Sequence, residues 1–209
     1  MRAVGTGRDV TLRVEAERDK AFLDELRTGA QRLSEADAII RFAARRLSEH
    51  LDASRVALFE YDAERDTMIV NSEWTLPGVP SVLGEWTRAT FGEPLIEAAS
   101  RGEVVVIEDT ATHPSTCETG LHEILRRCGS ASFISVPLVI DGQIEAALVI
   151  VQSTARNWLP REVQLVERVA GRLWDAVLRT RAEDRRKSSD NLLRMALRLP
   201  DERDMAFVQ

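Results

Sequence analysis

The chain of 209 residues has only two cysteines, too few for a disulfide framework, which favours a reducing, cytoplasmic setting. Its longest apolar run, residues 146–151, is far too short to span a bilayer. Acidic residues outnumber basic ones by 34 to 28, so the net charge of -6 offers no basic surface for nucleic acid or anionic membranes. We therefore expect partners other than nucleic acid and membranes.

Side chains for catalysis are also scarce. There is no Ser-His-Asp order, paired-carboxylate spacing, nucleophile elbow or glycine-rich phosphate loop. One short segment does contain ligand types that zinc prefers: His113, Cys117, His122 and Cys128. His122 and Cys128 are six residues apart on a predicted helix and so do not share a face, and Cys128 before Gly129 is typical of a small buried residue at a helix end. We predict no catalytic residue, no metal site and no enzyme activity in this chain.

What the sequence does contain is an apolar hairpin, FISVPLVIDGQIEAALVIVQS, at residues 133–153. Asp-Gly is a strong signal for a two-residue turn, which pairs Ile140 with Gln143 and Val139 with Ile144. In that register both faces of the hairpin are largely apolar, so both need cover from other elements. A three-residue turn would move the register by one and exchange the faces from Ile144 onward.

Two kinds of segment are available to cover these faces. Amphipathic helices precede the strands at residues 55–61 and 67–74 and follow the hairpin from Pro160. Between the strands lie two short helices and the irregular segments TLPGVPSVLGEW and DTATHPST. Sequential hairpins indicate an α+β fold with a mainly antiparallel sheet and the terminal helices on one face. The other face, roofed by loops and short helices, is where a cavity is expected.

The predicted cavity has a mostly apolar lining. Two tryptophans near it, Trp74 and Trp86, either stack on a planar ligand or plug the space. Ser135 is the one small polar group expected on the cavity floor. The predicted pocket residues are Trp74, Trp86, Leu121, Leu125, Phe133, Ser135 and Leu148.

The last long helix has an apolar seam with alternating spacings of three and four residues. Its members are Val163, Val166, Ala170, Leu173 and Val177. Such a seam suits a neighbouring helix, either within the core or in a homodimer. The helix continues past this seam into the charged run RTRAEDRRK, which favours the homodimer and a connector that transmits a signal.

The element order, the motif SVPLVIDGQIEAALVI and the ending NWLPREVQLVERVAGRLWDAVL resemble a GAF domain. More narrowly, EWTLPGVPSVLG, GEVVVIEDTATHP and RAEDRRKSSDNLLRMAL resemble GAF modules of bacterial sensor histidine kinases, including the HWE type and phytochrome-like proteins. This implies a GAF/PAS-like sandwich with a six-stranded antiparallel sheet, terminal helices on one face and a ligand pocket on the other. The similarity divides the chain into an N-terminal helical extension (1–33), a GAF domain (34–181) and a C-terminal helical connector (182–209). Beyond Ser188 it suggests the start of a following sensor or kinase region.

The cofactor stays unknown at this point: the resemblance argues against bilin, and the poor spacing of His113 and His122 as ligands argues against haem. In phytochrome-like GAF domains a Cys-His pair anchors the bilin, and an ungapped count places that pair at Gly120 and Leu121. The residues present nearby are Cys117 and His122, so each misses its place, although a loop shift would bring Cys117 into use.

Three functions remain open. The leading hypothesis is a sensory module that binds an unidentified small molecule and signals through dimeric terminal helices to a histidine kinase or other output domain. The second is a ligand-free scaffold for dimerisation or docking, which tight plugging by the tryptophans would favour. The third is reduction of methionine sulfoxide, known for some GAF-like domains, which requires Cys117 and Cys128 to come within disulfide range.

Overall fold

The structure, a computed structural model, describes residues 6–117 and 120–196. Its helices are α1 (Thr6–Ala30), α2 (Ala36–Leu51), α3 (Glu93–Ser100), α4 (Pro114–Cys117), α5 (Leu121–Arg127) and α6 (Pro160–Ala196), with a 3₁₀ turn at Arg88–Phe91. Its strands are β1 (Arg55–Asp62), β2 (Thr67–Thr75), β3 (Gly84–Thr87), β4 (Val105–Ile107), β5 (Ser132–Ile140) and β6 (Gln143–Gln152). The predicted connector after residue 196 lies outside the described residues.

The strands form one antiparallel sheet in the order β3-β2-β1-β6-β5-β4. This confirms the predicted α+β class and the six-stranded antiparallel sheet. β1 and β6 lie at the centre, so residues that alternate along them point to opposite faces of the sheet. Among the described residues, no helix combines the length and hydropathy needed to cross a membrane.

The terminal helices cover one face of the sheet and enclose the main core. α2 and α6 contribute Leu47, Val166 and other fully buried side chains, which pack on Val56, Leu58 and Leu148 of the sheet. α1 adds Phe22, Leu23 and Leu26 to the same core. Burying this apolar surface is the main source of stability for the fold.

The seam of α6 belongs to this core, which corrects the prediction of a dimer interface. Val166, Ala170, Leu173 and Val177 are at most 5 % exposed, and Val163 packs against them while partly buried. The spacing of three and four residues matches any helix partner, and here the partners are α2 and the sheet. The four fully buried members are therefore unavailable to a second copy of the chain unless the domain unpacks.

The hairpin of β5 and β6 has the predicted turn and an irregularity that sequence did not reveal. Asp141 and Gly142 have φ of 51° and 78°, as a type I′ turn requires, and the expected pairs of Val139 with Ile144 and Ile140 with Gln143 form. The next pair is Leu138 with Ala146, so Glu145 is an extra residue in a β-bulge. From Ala146 onward every side chain of β6 therefore points to the face opposite to the predicted one.

Candidate functional site

A cavity of about 240 Å³ lies on the sheet face opposite the terminal helices. Its floor is formed by β1, β5 and β6, and its walls by α3, α5, β3 and the 3₁₀ turn. The lining is mostly apolar, with Phe59, Phe91, Leu95 and Val149 among its side chains. A concave, mostly apolar space with a few polar groups is the usual form of a small-molecule site, although this one is below the range of about 300–1,000 Å³ for drug-sized ligands.

Five of the predicted pocket residues line this cavity: Trp86, Leu121, Leu125, Phe133 and Ser135. Trp86 is fixed at the wall because its Nε1–H donates to the Val82 carbonyl at 2.8 Å and its side chain packs against the cluster of Ala57, Val70 and Val82. It therefore borders the space and leaves it open.

Trp74 and Leu148, the other two predicted pocket residues, point to the helix-covered face. Trp74 pairs with Val56 across β1 and β2, and both pack against the main core. Leu148 is 1 % exposed in that core, and its place on the cavity floor is taken by Ala147 and Val149. The bulge at Glu145 causes this exchange of Leu148 for Ala147 and Val149, because the prediction assumed that side chains alternate along β6 without interruption from the turn.

The floor also contains a residue that sequence analysis missed, Arg55 at the start of β1. It is 2 % exposed, and its guanidinium donates to the carbonyls of Pro80 and Cys128, both at 2.8 Å, and to the Ser130 hydroxyl. Burial lowers its pKa below the ordinary arginine value. The sequence pattern that could have indicated Arg55 is the alternation of side chains along β1. Arg55 is two positions before Ala57 and therefore points to the same face of the sheet.

Residues 76–83 form a roof loop over one side of the cavity, and hydrogen bonds with Arg55 and Glu73 hold this loop in place. Glu73 of β2 accepts hydrogen bonds from the Ser81 hydroxyl and from the Val82 amide, the latter at 3.1 Å. Arg55 binds the Pro80 carbonyl in the same loop. Side-chain hydrogen bonds to β1 and β2 therefore fix the roof loop to the sheet, in addition to its connections along the chain.

The fold and the cavity position agree with a family match. Residues 35–177 match the model of the GAF domain. The chain belongs to the GAF domain family. GAF domains generally act as sensory or signalling modules that bind ligands. Among curated proteins, none matches the chain in sequence.

Several solved structures are similar to this GAF domain. The blue-light absorbing form of the PixJ GAF domain of Thermosynechococcus elongatus is 22% identical, with a TM-score of 0.62 over 74% of this chain and 91% of that one. The phycoerythrobilin-bound GAF domain of a cyanobacterial phytochrome is 18% identical, with a TM-score of 0.68 over 79% and 97%. The free methionine-R-sulfoxide reductase of Neisseria meningitidis, in complex with its substrate, is 18% identical, with a TM-score of 0.64 over 81% and 93%. These identities show a shared fold only.

The two cysteines of this GAF domain have different surroundings. Both are free thiols; Cys117 is exposed, whereas Cys128 is half-buried and lines the cavity beside Arg55. Burial raises the pKa of the Cys128 thiol despite the opposing pull of Arg55 and Arg127. Cys128 is therefore a protonated, weakly nucleophilic wall residue at neutral pH.

We expect iodoacetamide to modify Cys117 at least about ten-fold faster than Cys128 at pH 8, because reaction requires an accessible thiolate. The rates are measured by intact-protein mass spectrometry on the single-thiol variants C117S and C128S. Denaturing both variants should make the rates similar, which controls for the reagent. Equal rates in the folded state would mean that the Cys128 thiol is open to solvent, contrary to the structure.

The histidines lie away from the cavity lining. His50 Nε2 is 2.9 Å from Asp19 Oδ1 between α1 and α2, and His113 accepts from the Ser115 amide at 3.3 Å. His122 lies on α5, which presents Leu121 and Leu125 to the cavity instead. Within residues 6–117 and 120–196, no three His, Cys, Asp or Glu side chains are grouped to hold a metal ion.

Proposed function

We propose that this GAF domain is a sensory module that binds a small ligand in the cavity and signals to an output partner such as a histidine kinase. The observation that supports it best is the open cavity on the face away from the terminal helices. Neither tryptophan fills it, since Trp74 is on the other face and Trp86 is held at the wall. A ligand-free scaffold has no need of such a space.

The central strand offers a route from ligand to helices. Along β1, Arg55, Ala57 and Phe59 line the cavity, while Val56 and Leu58 pack in the helix-covered core. A single strand therefore separates the ligand from α2 and α6. A ligand shifts this system only if it binds one arrangement of β1 better than another.

The same strand also has a polar contact with α6. Glu60 faces the helices, and its carboxylate forms a two-bond ion pair with Arg181, with a 2.9 Å contact between Nη2 and Oε1. Hydrogen bonding to Glu60 raises the pKa of Arg181, so the cation is retained throughout the physiological range. In this proposal the pair transmits movement of β1 to the point where α6 leaves the domain.

The homodimer remains part of the proposal, with its contact on the exposed end of α6. From residue 182 onward the described side chains of α6 are exposed, and Leu192, Leu193 and Met195 are apolar. Exposed leucines on a helix that projects from a domain suit association with the same helix of a second copy. The output partner would be attached at or beyond this end.

A cavity-filling variant tests ligand binding. We expect Ala147→Leu to abolish retention of a small molecule, because three added carbons enter the cavity floor, while the free energy of unfolding changes by less than about 1 kcal/mol. Native mass spectrometry of protein purified from its source organism measures the bound mass. Urea denaturation measures the stability.

The neighbouring residue is the matched control. Ala146 is fully buried in the helix-covered core, so Ala146→Leu overpacks that core and should cost about 1–3 kcal/mol of unfolding free energy while the cavity stays open. The proposal fails if wild-type protein retains no compound and binds none from an extract of the source organism. That result would leave the scaffold function.

A further inference from the structure

The floor of the cavity contains a buried cation that lacks a carboxylate partner. Among the ion pairs of the described residues none includes Arg55, although its side chain is almost fully buried. Its acceptors are two backbone carbonyls and the Ser130 hydroxyl, all of which are neutral. Burying a charge without a counter-ion is unfavourable, and neutral acceptors offset only part of that cost.

Nearby acidic groups are engaged elsewhere. Glu73 attracts Arg55 at longer range, but its carboxylate oxygens accept from Ser81 and Val82. The Cys128 thiol beside Arg55 has a raised pKa and is therefore neutral at pH 7. Arg55 thus has no formal negative charge in contact with it.

The remaining charges of the lining are at the rim. Glu103 is bound by both Nε and Nη2 of Arg101, at 2.8 and 3.0 Å. Arg88 is about one-third exposed and lies 3.5 Å from Asp66. The charge inside the cavity is therefore positive and belongs to Arg55, while the walls around it are apolar.

Arg55 also has donors to spare. A guanidinium has five N–H groups, and the three bonds described use two on Nη1 and one on Nη2. The N–H on Nε and the second on Nη2 remain, and a carboxylate accepts from such a pair in a planar, two-bond arrangement. A ligand carboxylate at these two donors would leave the bonds to Pro80, Cys128 and Ser130 in place.

We propose that the cavity selects a small monocarboxylic acid with an apolar body, whose carboxylate binds Arg55 and whose body contacts Phe133, Leu125 and Trp86. This inference rests on the proposed ligand-binding function and specifies its ligand class. A single buried cation suits a monoanion, and the small volume with its apolar walls suits an aryl or short alkyl group. A phosphate dianion would leave one of its two negative charges without a counter-ion among the apolar walls.

The test compares matched probes on the wild-type protein. Phenylacetate and phenylacetamide have the same shape, as do butanoate and butanamide, and differ in the charge that Arg55 would meet. Calorimetry at pH 7.5 should show each carboxylate binding about ten- to hundred-fold tighter than its amide, as a charge-assisted hydrogen bond implies. Phenyl phosphate should bind more weakly than phenylacetate.

Variants add a second readout. Arg55→Gln should remove the preference for the carboxylate and bring the ratio of the two affinities near one, whereas Arg88→Gln at the rim should change that ratio less than about three-fold. Should Arg55→Gln fail to fold, the wild-type comparison still decides the matter.

Each other outcome is informative. Equal affinity for acid and amide, or tighter binding of phenyl phosphate, overturns the carboxylate assignment and leaves a ligand-binding cavity. Binding of none of the probes overturns it as well. The proposed function fails too only if native mass spectrometry also finds no retained compound.

Discussion

Replacing Leu173 by alanine is expected to lower the free energy of unfolding by about 2–5 kcal/mol and to leave the oligomeric state unchanged. The side chain is 5 % exposed and packs in the core between α6, α2 and the sheet, so truncation leaves a cavity there. Urea denaturation measures the stability, and light scattering over a range of concentrations measures the oligomeric state.

Leu159, just before α6, provides the control. It is 45% exposed, so Leu159→Ala should change the unfolding free energy of the domain by less than about 0.5 kcal/mol. A Leu173→Ala protein of unaltered stability that dissociates into monomers would restore the seam of α6 as an interface and contradict its place in the core.

The second large effect is expected for Arg156→Ala, at about 2–3 kcal/mol of unfolding free energy. Arg156 joins the end of α2 to the start of α6: it donates to the carbonyls of Leu51 and Asp52 at 2.8 and 3.3 Å and pairs with Glu162 at 2.8 Å. Its guanidinium also lies over the Trp158 ring, 4.2 Å from the centroid. Removal leaves the largely buried Glu162 carboxylate without its cation and the Leu51 carbonyl without this donor, whereas the Asp52 carbonyl keeps a hydrogen bond from Gln152.

Arg161 is a suitable comparison, because it also pairs with a glutamate and is close in sequence. Its bond to Glu15 of α1 is 2.9 Å long, but the two side chains are 39% and 30% exposed. Such a pair contributes less than about 1 kcal/mol, so Arg161→Ala should be nearly neutral in urea denaturation. Similar losses for the two variants would mean that Arg156 acts as an ordinary surface residue.

The fold was predictable because its signals are local. Asp141-Gly142 determines the turn of the hairpin, Pro160 begins α6 as expected, and the alternation of β1 defines two faces. The bulge was not predictable from the same pattern, since Glu145 interrupts pairing with β5 and leaves no mark in the sequence apart from its charge. That single extra residue accounts for the wrong placement of Leu148.

The cavity was predictable in position and less so in composition. Trp86, Phe133 and Ser135 follow from the faces of their strands, whereas Arg55 appeared to be an ordinary polar residue at the start of a strand. Its role depends on contacts with residues 25 to 75 positions away, which no local pattern contains. The seam of α6 posed a related problem. An apolar stripe indicates that one face of a helix is buried, but it does not identify the element that packs on it.

Because α6 is one uninterrupted helix, a small change in its tilt at the sheet moves its far end by a larger distance. About 15 of its residues, roughly 22 Å of helix, extend past Arg181. A tilt of about 5° at the sheet would therefore swing the far end by about 2 Å, and deleting one residue from this arm would rotate whatever is attached to it by about 100°. The orientation of a downstream domain about the helix axis, as well as its distance from the sheet, would then determine the signal that it receives.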